Sequence, residues 1–396
     1  MDAANHPPDA NHHSGVVNDP FNSMWRDQTL TLNGRCINEP NNMYPWKAYL
    51  MNLLNYSREV QDTRLKCECW ERDTAGHLDV RAHNGANLGF NAQAERFAEG
   101  EVVEMVGRPF MDLFQQDKLL PPVINIAYRL TPAADGFVIK SPDGDNTQYR
   151  MQIETVELIM HTKQLTEATE LAHRSIVQKE NMRQPFIKTQ LKHLSVAAGL
   201  GSVAFDNVFT GGQLPDLVIM GMITDDEFSS GYHVGSPLNF QHYNVSRVEM
   251  KKNGTTYPRG GYTPNYADEH YINDYMKFLG QFGYDTGDKS VQITPHEWAH
   301  GYTLFAFKLT PGQIGSGVAG PRSHSTGGNV RLELSFAQPT PANLKVIMLY
   351  EAPLVLEIDL WNNVVLTKAC RSTKLSPAPR SAASQVACSP TLACIG

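Results

Sequence analysis

The segment NVRLELSF alternates residue by residue: Val330, Leu332, Leu334 and Phe336 are apolar, while Arg331, Glu333 and Ser335 stand between them, with Ala337 beyond. Side chains of a strand point to opposite faces in turn, so this spacing predicts a strand with one face in a core and the other toward water. The same reading applies to VINIAYRL, FIKTQLKHL, LPDLVIMGMI, NVSRVEM, GYTLFAFKL and NLKVIMLYE. No helix follows each strand, which disfavours a parallel α/β sheet. Antiparallel sandwiches with long decorated loops fit best. A length of 396 residues suggests two of them. Hydrophobic residues at 41%, charged residues at 19%, 30 Gly and 24 Pro supply a core and many turns, in keeping with β structure.

Local signals fill in the pattern. QTLTLNGRCI carries an Asn33-Gly34 turn and predicts a hairpin. In YPWKAYLMNLLNYS, Trp46, Tyr49, Leu50, Leu53 and Leu54 recur at helical spacing, with Pro45 suited to the first turn and Asn41 or Asn42 to the cap. LTEATELAHRSIVQ predicts a second, short helix with Leu165, Thr169, Ala172 and Ile176 in phase. FVIKSPDGDNTQYRMQIE reads as two strands around a Pro-Asp-Gly-Asp turn, and a domain break is expected near Thr147–Tyr149. The expected organisation is a disordered polar leader over 1–24, a first β unit over 25–148, a second over 149–367, and an unstructured Ser/Ala/Pro-rich tail over 368–396.

Composition narrows the function. Net charge is −7, from 34 basic and 41 acidic side chains, and no Lys/Arg run marks a nucleic-acid or lipid surface. Direct sequence-specific nucleic-acid binding is therefore not expected. The N-terminus lacks the apolar core of a secretory signal, and the longest apolar stretch is too short to span a bilayer. The chain is expected in the cytosol, with its six cysteines reduced and buried or half-buried. Cys67-Glu68-Cys69 is C-x-C rather than C-x-x-C, and no second pair sits in the body of the chain, so a zinc ribbon is disfavoured.

One stretch does spell a metal motif: His296-Glu297-Trp298-Ala299-His300 is a literal H-E-x-x-H. That chemistry needs a helix to put both His on one face and the Glu beside a bound water. Gly301 follows at once, and YTLFAFKL then alternates as a strand, leaving about one and a half turns at 3.6 residues each. No third ligand stands at the usual spacing, and Glu333 is an outward strand residue. His296, Glu297 and His300 are thus a decoy candidate, and no catalytic, cofactor or metal residues are assigned. Gly199-Leu200-Gly201-Ser202-Val203-Ala204 has a dinucleotide-loop outline without the surrounding strand order, and Asp225-Asp226-Glu227 is a carboxylate cluster better read as a loop cap.

Several blocks, in order, resemble one family. They are LTLNGRCINEPNNMYPWKAYLMNLLNYS (30–57), RDTAGHLD (72–79), GRPFMDLFQQDKLLPPVINIAYRL (107–130), GQLPDLVIMGMITDDEFSSGY (212–232), SPLNFQHYNVSRVEMKKNG (236–254), HGYTLFAFKLTP (300–311) and NVRLELSFAQPTPANLKVIMLYEAPLVLEID (329–359). Together, from Asp19 to Asn363, they resemble the double jelly-roll major capsid proteins of Polinton/Maverick elements and adintovirus-like viruses. The resemblance implies an all-β chain with a few short helices, built as two side-by-side antiparallel jelly-roll sandwiches.

It also implies structural work with no cofactor and no enzymatic activity. The expected partners are two further copies in a pseudo-hexagonal homotrimer, neighbouring capsomers and a minor capsid protein, and the expected location is the virion. The matching part starts about twenty residues in, so the first roll is expected to lack its opening strands, as in a truncated or genome-integrated copy. The Tyr-rich stretch 255–295 is expected as a tower or interface loop. Two other readings stay open from the residues alone. One is a zinc metallopeptidase using His296, Glu297 and His300. The other is a β-sandwich binding module, for instance for carbohydrate, presenting Tyr257, Tyr262 and Tyr266.

Overall fold

The computed structural model describes residues 14–82, 84–116, 119–121, 124–141, 149–209, 214–229, 235–286, 288, 290–309, 327–359, 361–368 and 391–395. The chain is mostly β-sheet with a few short helices.

The N-terminal half runs β1 (Gly15–Val16), α1 (Pro20–Ser23), β2 (Trp25–Leu32), β3 (Arg35–Cys36), α2 (Tyr44–Asn55), α3 (Arg58–Gln61), α4 (Leu88–Arg96), β4 (Glu104–Gly107), β5 (Ile126–Pro132), α5 (Asp135–Val138), β6 (Ile139–Lys140), β7 (Thr155–Ile159) and α6 (Glu167–Val177). Its strands form small sheets: β1 with β6, β3-β2-β5, and β4 and β7 on either side of a C-terminal strand. The β2–β3 hairpin turns through Asn33 (φ 47°) and Gly34 (φ 82°), the double left-handed geometry that Asn-Gly favours.

Helix α2 lies where its stripe requires, with Trp46, Tyr49, Leu50 and Leu53 buried. Its cap differs from the expectation. Met43 holds the N-cap position without a side-chain bond, because Asn41 Oδ1 accepts from Met43 N–H (3.1 Å) and the Asp27 carboxylate accepts from Asn42 N–H (2.9 Å). The helix expected near 165–178 is α6, with Leu171 and Ile176 exposed.

The C-terminal half continues with β8 (Met182–Val196), β9 (Ser202–Phe205), β10 (Leu217–Thr224), α7 (Asp225–Ser229), β11 (Val245–Lys252), β12 (Thr255–Tyr262), α8 (Ile272–Phe282), α9 (Pro295–Ala299), β13 (Leu304–Lys308), β14 (Val330–Phe336), β15 (Leu344–Ile358), β16 (Val364–Lys368) and β17 (Thr391–Ile395). Strands β8 to β15 sort into two antiparallel sheets. One has the order β8-β15-β10-β13 and the other β9-β14-β11-β12. The chain crosses between the sheets after β8, β9, β10, β12, β13 and β14, and stays in one sheet only at the β11–β12 hairpin. Eight strands wound this way into two four-stranded sheets are a jelly roll.

The sheets pack face to face on one apolar core that draws on both. Val248, Met250, Leu332 and Leu334 come from one sheet, and Val218, Met220, Phe305 and Met348 from the other. Tyr262 locks them, its ring edge-on to Phe305 and Phe307 and its hydroxyl donating to Ala306 O at 2.6 Å. The outer face of the β11/β14 pair carries the alternate residues as an ion-pair ladder. Glu249 pairs with Arg247 (2.5 Å), Lys251 with Glu333 (2.5 Å), and Arg331 with Glu333 (2.8 Å).

Strand β10 is buried from Leu217 to Ile223 without alternation. Its inner face fills the sandwich and its other face meets the N-terminal half, which explains the unbroken apolar run. At Gly221 a Cβ would collide with the ring of Phe240 and with Leu304. The two halves are further joined by strand length. Strands β8 and β15 pair over fifteen residues each, and β15 meets β10 through Leu344–Glu351 and β16 through Leu354–Ile358. That extension carries Phe186, Leu356 and Ile358 into a second core with Leu30, Leu32, Met111 and Phe114.

Several expectations are corrected. From Ser14 on, the supposed disordered leader is packed: Val16, Val17, Phe21 and Met24 are buried, and Gly15–Val16 pairs with Ile139–Lys140. Apolar residues at Val16, Val17, Phe21 and Met24 outweigh the polar composition around them. Phe137–Lys140 forms a helical turn and a two-residue strand, and Tyr149–Ile153 is not a strand; the intervening 142–148 lie outside the described residues. The stretch 255–295 holds β12, α8 and the start of α9, and is not a plain loop. Within the tail expected over 368–396, Thr391–Ile395 pairs as a strand and 369–390 lie outside the described residues. Cys36 and Cys67 are exposed, whereas Cys69 is buried.

Candidate functional site

The metal-motif stretch sits where the two halves meet. Pro295 starts α9, and Thr294 and Glu297 cap it reciprocally: Glu297 N–H donates to Thr294 Oγ1 (3.2 Å) and Thr294 N–H donates to Glu297 Oε2 (2.7 Å). The other carboxylate oxygen, Oε1, accepts from Arg72 Nε at 3.1 Å and from Arg58 Nη2 at 3.2 Å. Burial alone pushes Glu297 up, but Arg72, the Thr294 backbone and Arg58 outweigh it and hold its carboxyl below the usual carboxylate range. Arg72 in turn donates to Gln61 Oε1 and Gln292 O and lies 4.7 Å above the Tyr302 ring.

The rest of the motif is packed in the same manner. Trp298 is fully buried, donates its indole N–H to Leu304 O (2.7 Å), and is ringed by Tyr266, Tyr271, Tyr275, Phe278 and Phe305. His300 has left the helix (φ −131°, ψ 67°), and its Nδ1 lies 2.8 Å from His296 O. The two imidazoles stack at 4.3 Å between centroids. Both carboxylate oxygens of Glu297 are taken by structural bonds, so the arrangement is a clamp between residues 58–73 and the entry to β13.

The other sequence candidates also resolve into local structure. Gly199 (φ 80°) turns the chain from β8 to β9, its N–H donating to Thr340 O at 2.8 Å. Glu227 caps α7 through Thr224, and Asp225 pairs with Lys345 at 3.1 Å. Tyr262 is fully buried, so the proposed tyrosine face is not a face. Tyr266 is half-buried and stacks on His242 at 3.9 Å, and Tyr257 is half-buried against the core. Among the described residues no group of three or more His, Cys, Asp or Glu is placed to hold a metal ion. Nor is any described helix long and apolar enough to cross a membrane.

Sequence reasoning missed a buried acid pair and a separate buried aspartate. Asp19 and Glu68 share the Asn22 amide, whose Nδ2 donates to Asp19 Oδ1 (2.9 Å) and lies 3.3 Å from Glu68 Oε2. Asn52 donates to the other oxygen of Asp19 (2.8 Å) and the Tyr44 hydroxyl donates to Asn22 Oδ1 (2.7 Å). Desolvation pushes Glu68 up to about 7 against the pull of Arg64, and raises Asp19 with help from the Glu68 charge. Burial likewise pushes Asp73 up to about 7 although Asn87 Nδ2 donates to it at 2.9 Å. Scattered polar letters carry no periodic signal, so only the folded chain brings them together.

Comparisons with known proteins can be set beside this geometry. No protein-family model matches the chain. A Caenorhabditis elegans protein described as uncharacterized protein F54H12.2 is 20% identical over 357 residues, spanning 88% of this chain and 81% of that one. Among solved structures, the PBCV-1 VP54 structure fitted into a reconstruction of the virophage Sputnik is 9% identical, with a TM-score of 0.47, covering 90% of this chain and 87% of that one. The mavirus major capsid protein is 9% identical at a TM-score of 0.40, covering 92% and 81%. The Faustovirus major capsid protein is 7% identical at 0.40, covering 88% and 74%. All three scores lie below 0.5; the jelly roll is identified by its strand order.

Proposed function

We propose that the chain is a structural capsid subunit of the double jelly-roll kind and not an enzyme. The observation that carries this reading is the complete eight-strand jelly roll over β8–β15, fused through long shared strands to a second β unit. Jelly rolls recur in viral capsids, and also in lectins and cupins. The lectin-like alternative loses its support with the burial of Tyr262 and the packing of Tyr266. The peptidase alternative loses its base, because Glu297 is held by Arg58, Arg72 and Thr294. The ordered sequence blocks from Asp19 to Asn363 supply the finer reading. Three copies form a pseudo-hexagonal capsomer of a Polinton/Maverick or adintovirus-like virion, contacting neighbouring capsomers and a minor capsid protein.

The domain division that goes with this reading is an N-terminal unit that includes β7 and α6, and a C-terminal unit that begins with β8 at Met182. Light scattering behind size-exclusion chromatography tests the proposal. It requires a stable species of three times the chain mass. A monomer at all concentrations rejects the capsomer.

A further inference from the structure

Strands β4 and β7 are not paired with each other, and among the described residues each pairs with one strand, β17. Leu392 stands opposite Gly107 and Leu158, and Cys394 opposite Met105 and Val156, antiparallel on both sides. Without β17 the two strands would frame a slot one strand wide, with unpaired N–H and C=O groups on both walls. Strand β7 buries little side-chain surface: four of its five residues are exposed and Leu158 alone packs against the neighbouring core, so backbone pairing with β17 is its main hold.

The strand that fills the slot is five residues long, and 22 residues separate it from β16. At roughly 3.3–3.6 Å per residue, that separation reaches about 70–80 Å when extended. A compact chain of this length is only about 55 Å across. The backbone bonds that seat β17 are the same whichever copy supplies it, so exchange costs no contact. What decides between the two sources is concentration. An intramolecular segment competes at an effective concentration on the order of millimolar, so a chain's own strand wins in dilute solution. When copies are packed side by side that advantage disappears.

We propose that the slot between β4 and β7 is a strand-acceptor site that takes the Thr391–Ile395 strand of a second copy of this chain when copies are crowded. The inference rests on the strand pairing alone and stands apart from the capsid reading.

A mixed-variant disulfide trap tests it, because register partners in an antiparallel pair lie within disulfide reach. The acceptor carries Val156→Cys and Cys394→Ser. The donor keeps Val156 and Cys394. Both carry Cys36→Ser, Cys67→Ser, Cys370→Ser and Cys388→Ser. Val156 is 39% exposed, so its replacement leaves the core intact.

The expected result is an acceptor–donor link between position 156 and Cys394, identified by mass spectrometry, absent at about 10 µM and the main product near about 1 mM. A single chain with Val156→Cys and native Cys394 serves as the internal reference and should close on itself at any concentration. Closure of the reference chain with no acceptor–donor link near 1 mM overturns the proposal. So does the absence of both links, since β17 would then not occupy the slot.

Discussion

Removing the Glu297 carboxylate separates a structural clamp from a catalytic base. Glu297→Ala deletes one arm of the α9 capping box, which costs about 1 kcal/mol. It also strips Arg72 and Arg58 of a shared acceptor, at 3.1 and 3.2 Å. The Arg72 and Glu297 side chains are only 9% and 15% exposed, so water replaces that bond poorly. A hydrogen bond to a charged group contributes about 1.5–3 kcal/mol, and Arg72 keeps Gln61, Gln292 and the Tyr302 ring, which limits the loss. The sum is about 2–4 kcal/mol, seen as a fall of about 1 M in the urea midpoint. Glu297→Gln retains a carbonyl acceptor and should lose about half as much.

A cycle with Arg72→Met should show a coupling of about 1–2 kcal/mol between the two side chains. A peptidase base behaves in the opposite way: its replacement abolishes turnover and leaves stability nearly unchanged. The clamp is refuted by a Glu297→Ala midpoint equal to that of the parent, or by stoichiometric zinc lost in His296→Ala and His300→Ala.

Other outcomes follow from the same geometry. Leu332→Ala, at the fully buried centre of the jelly roll, should destabilise by about 2–5 kcal/mol in denaturant unfolding. Gly221→Ala should cost about 1–3 kcal/mol because the new methyl meets Phe240 and Leu304, and Phe240→Leu in the same chain should recover part of it. Glu68 is raised from 4.5 to about 7 in the folded chain, so it binds its proton more tightly folded than unfolded; its contribution is greatest below about pH 4.5 and is lost as pH rises toward 7. Glu68→Gln should therefore flatten the pH dependence of stability across that window, by up to about 3 kcal/mol, in unfolding curves taken at pH 5 and pH 8.

What the sequence determined by itself was local and periodic. Two-residue alternation in NVRLELSF placed Val330, Leu332 and Leu334 inward and Arg331 and Glu333 outward, as the β14 packing and its ion-pair ladder show. Helical spacing placed Trp46, Tyr49, Leu50 and Leu53 on the buried face of α2, and Asn33-Gly34 fixed a hairpin. Helix α8 was legible in principle from Tyr275, Phe278, Leu279 and Phe282 at helical spacing, but the surrounding Gly and Tyr masked it. A short motif misleads for a related reason. H-E-x-x-H names residues and not neighbours, and here Arg72, more than two hundred positions away, decides what Glu297 does.

Tertiary structure alone decided which strands are neighbours. Backbone N–H and C=O groups are the same in every strand, so β8 finds β15 some 150 residues later through shape and burial and not through a code in either segment. The same indifference lets residues from the supposed tail sit between β4 and β7. It also lets a leader of mixed composition dock by four apolar side chains. Side-chain periodicity is written in the sequence because it is local; pairing is not, because every edge offers the same bonds and only the folded chain selects among them.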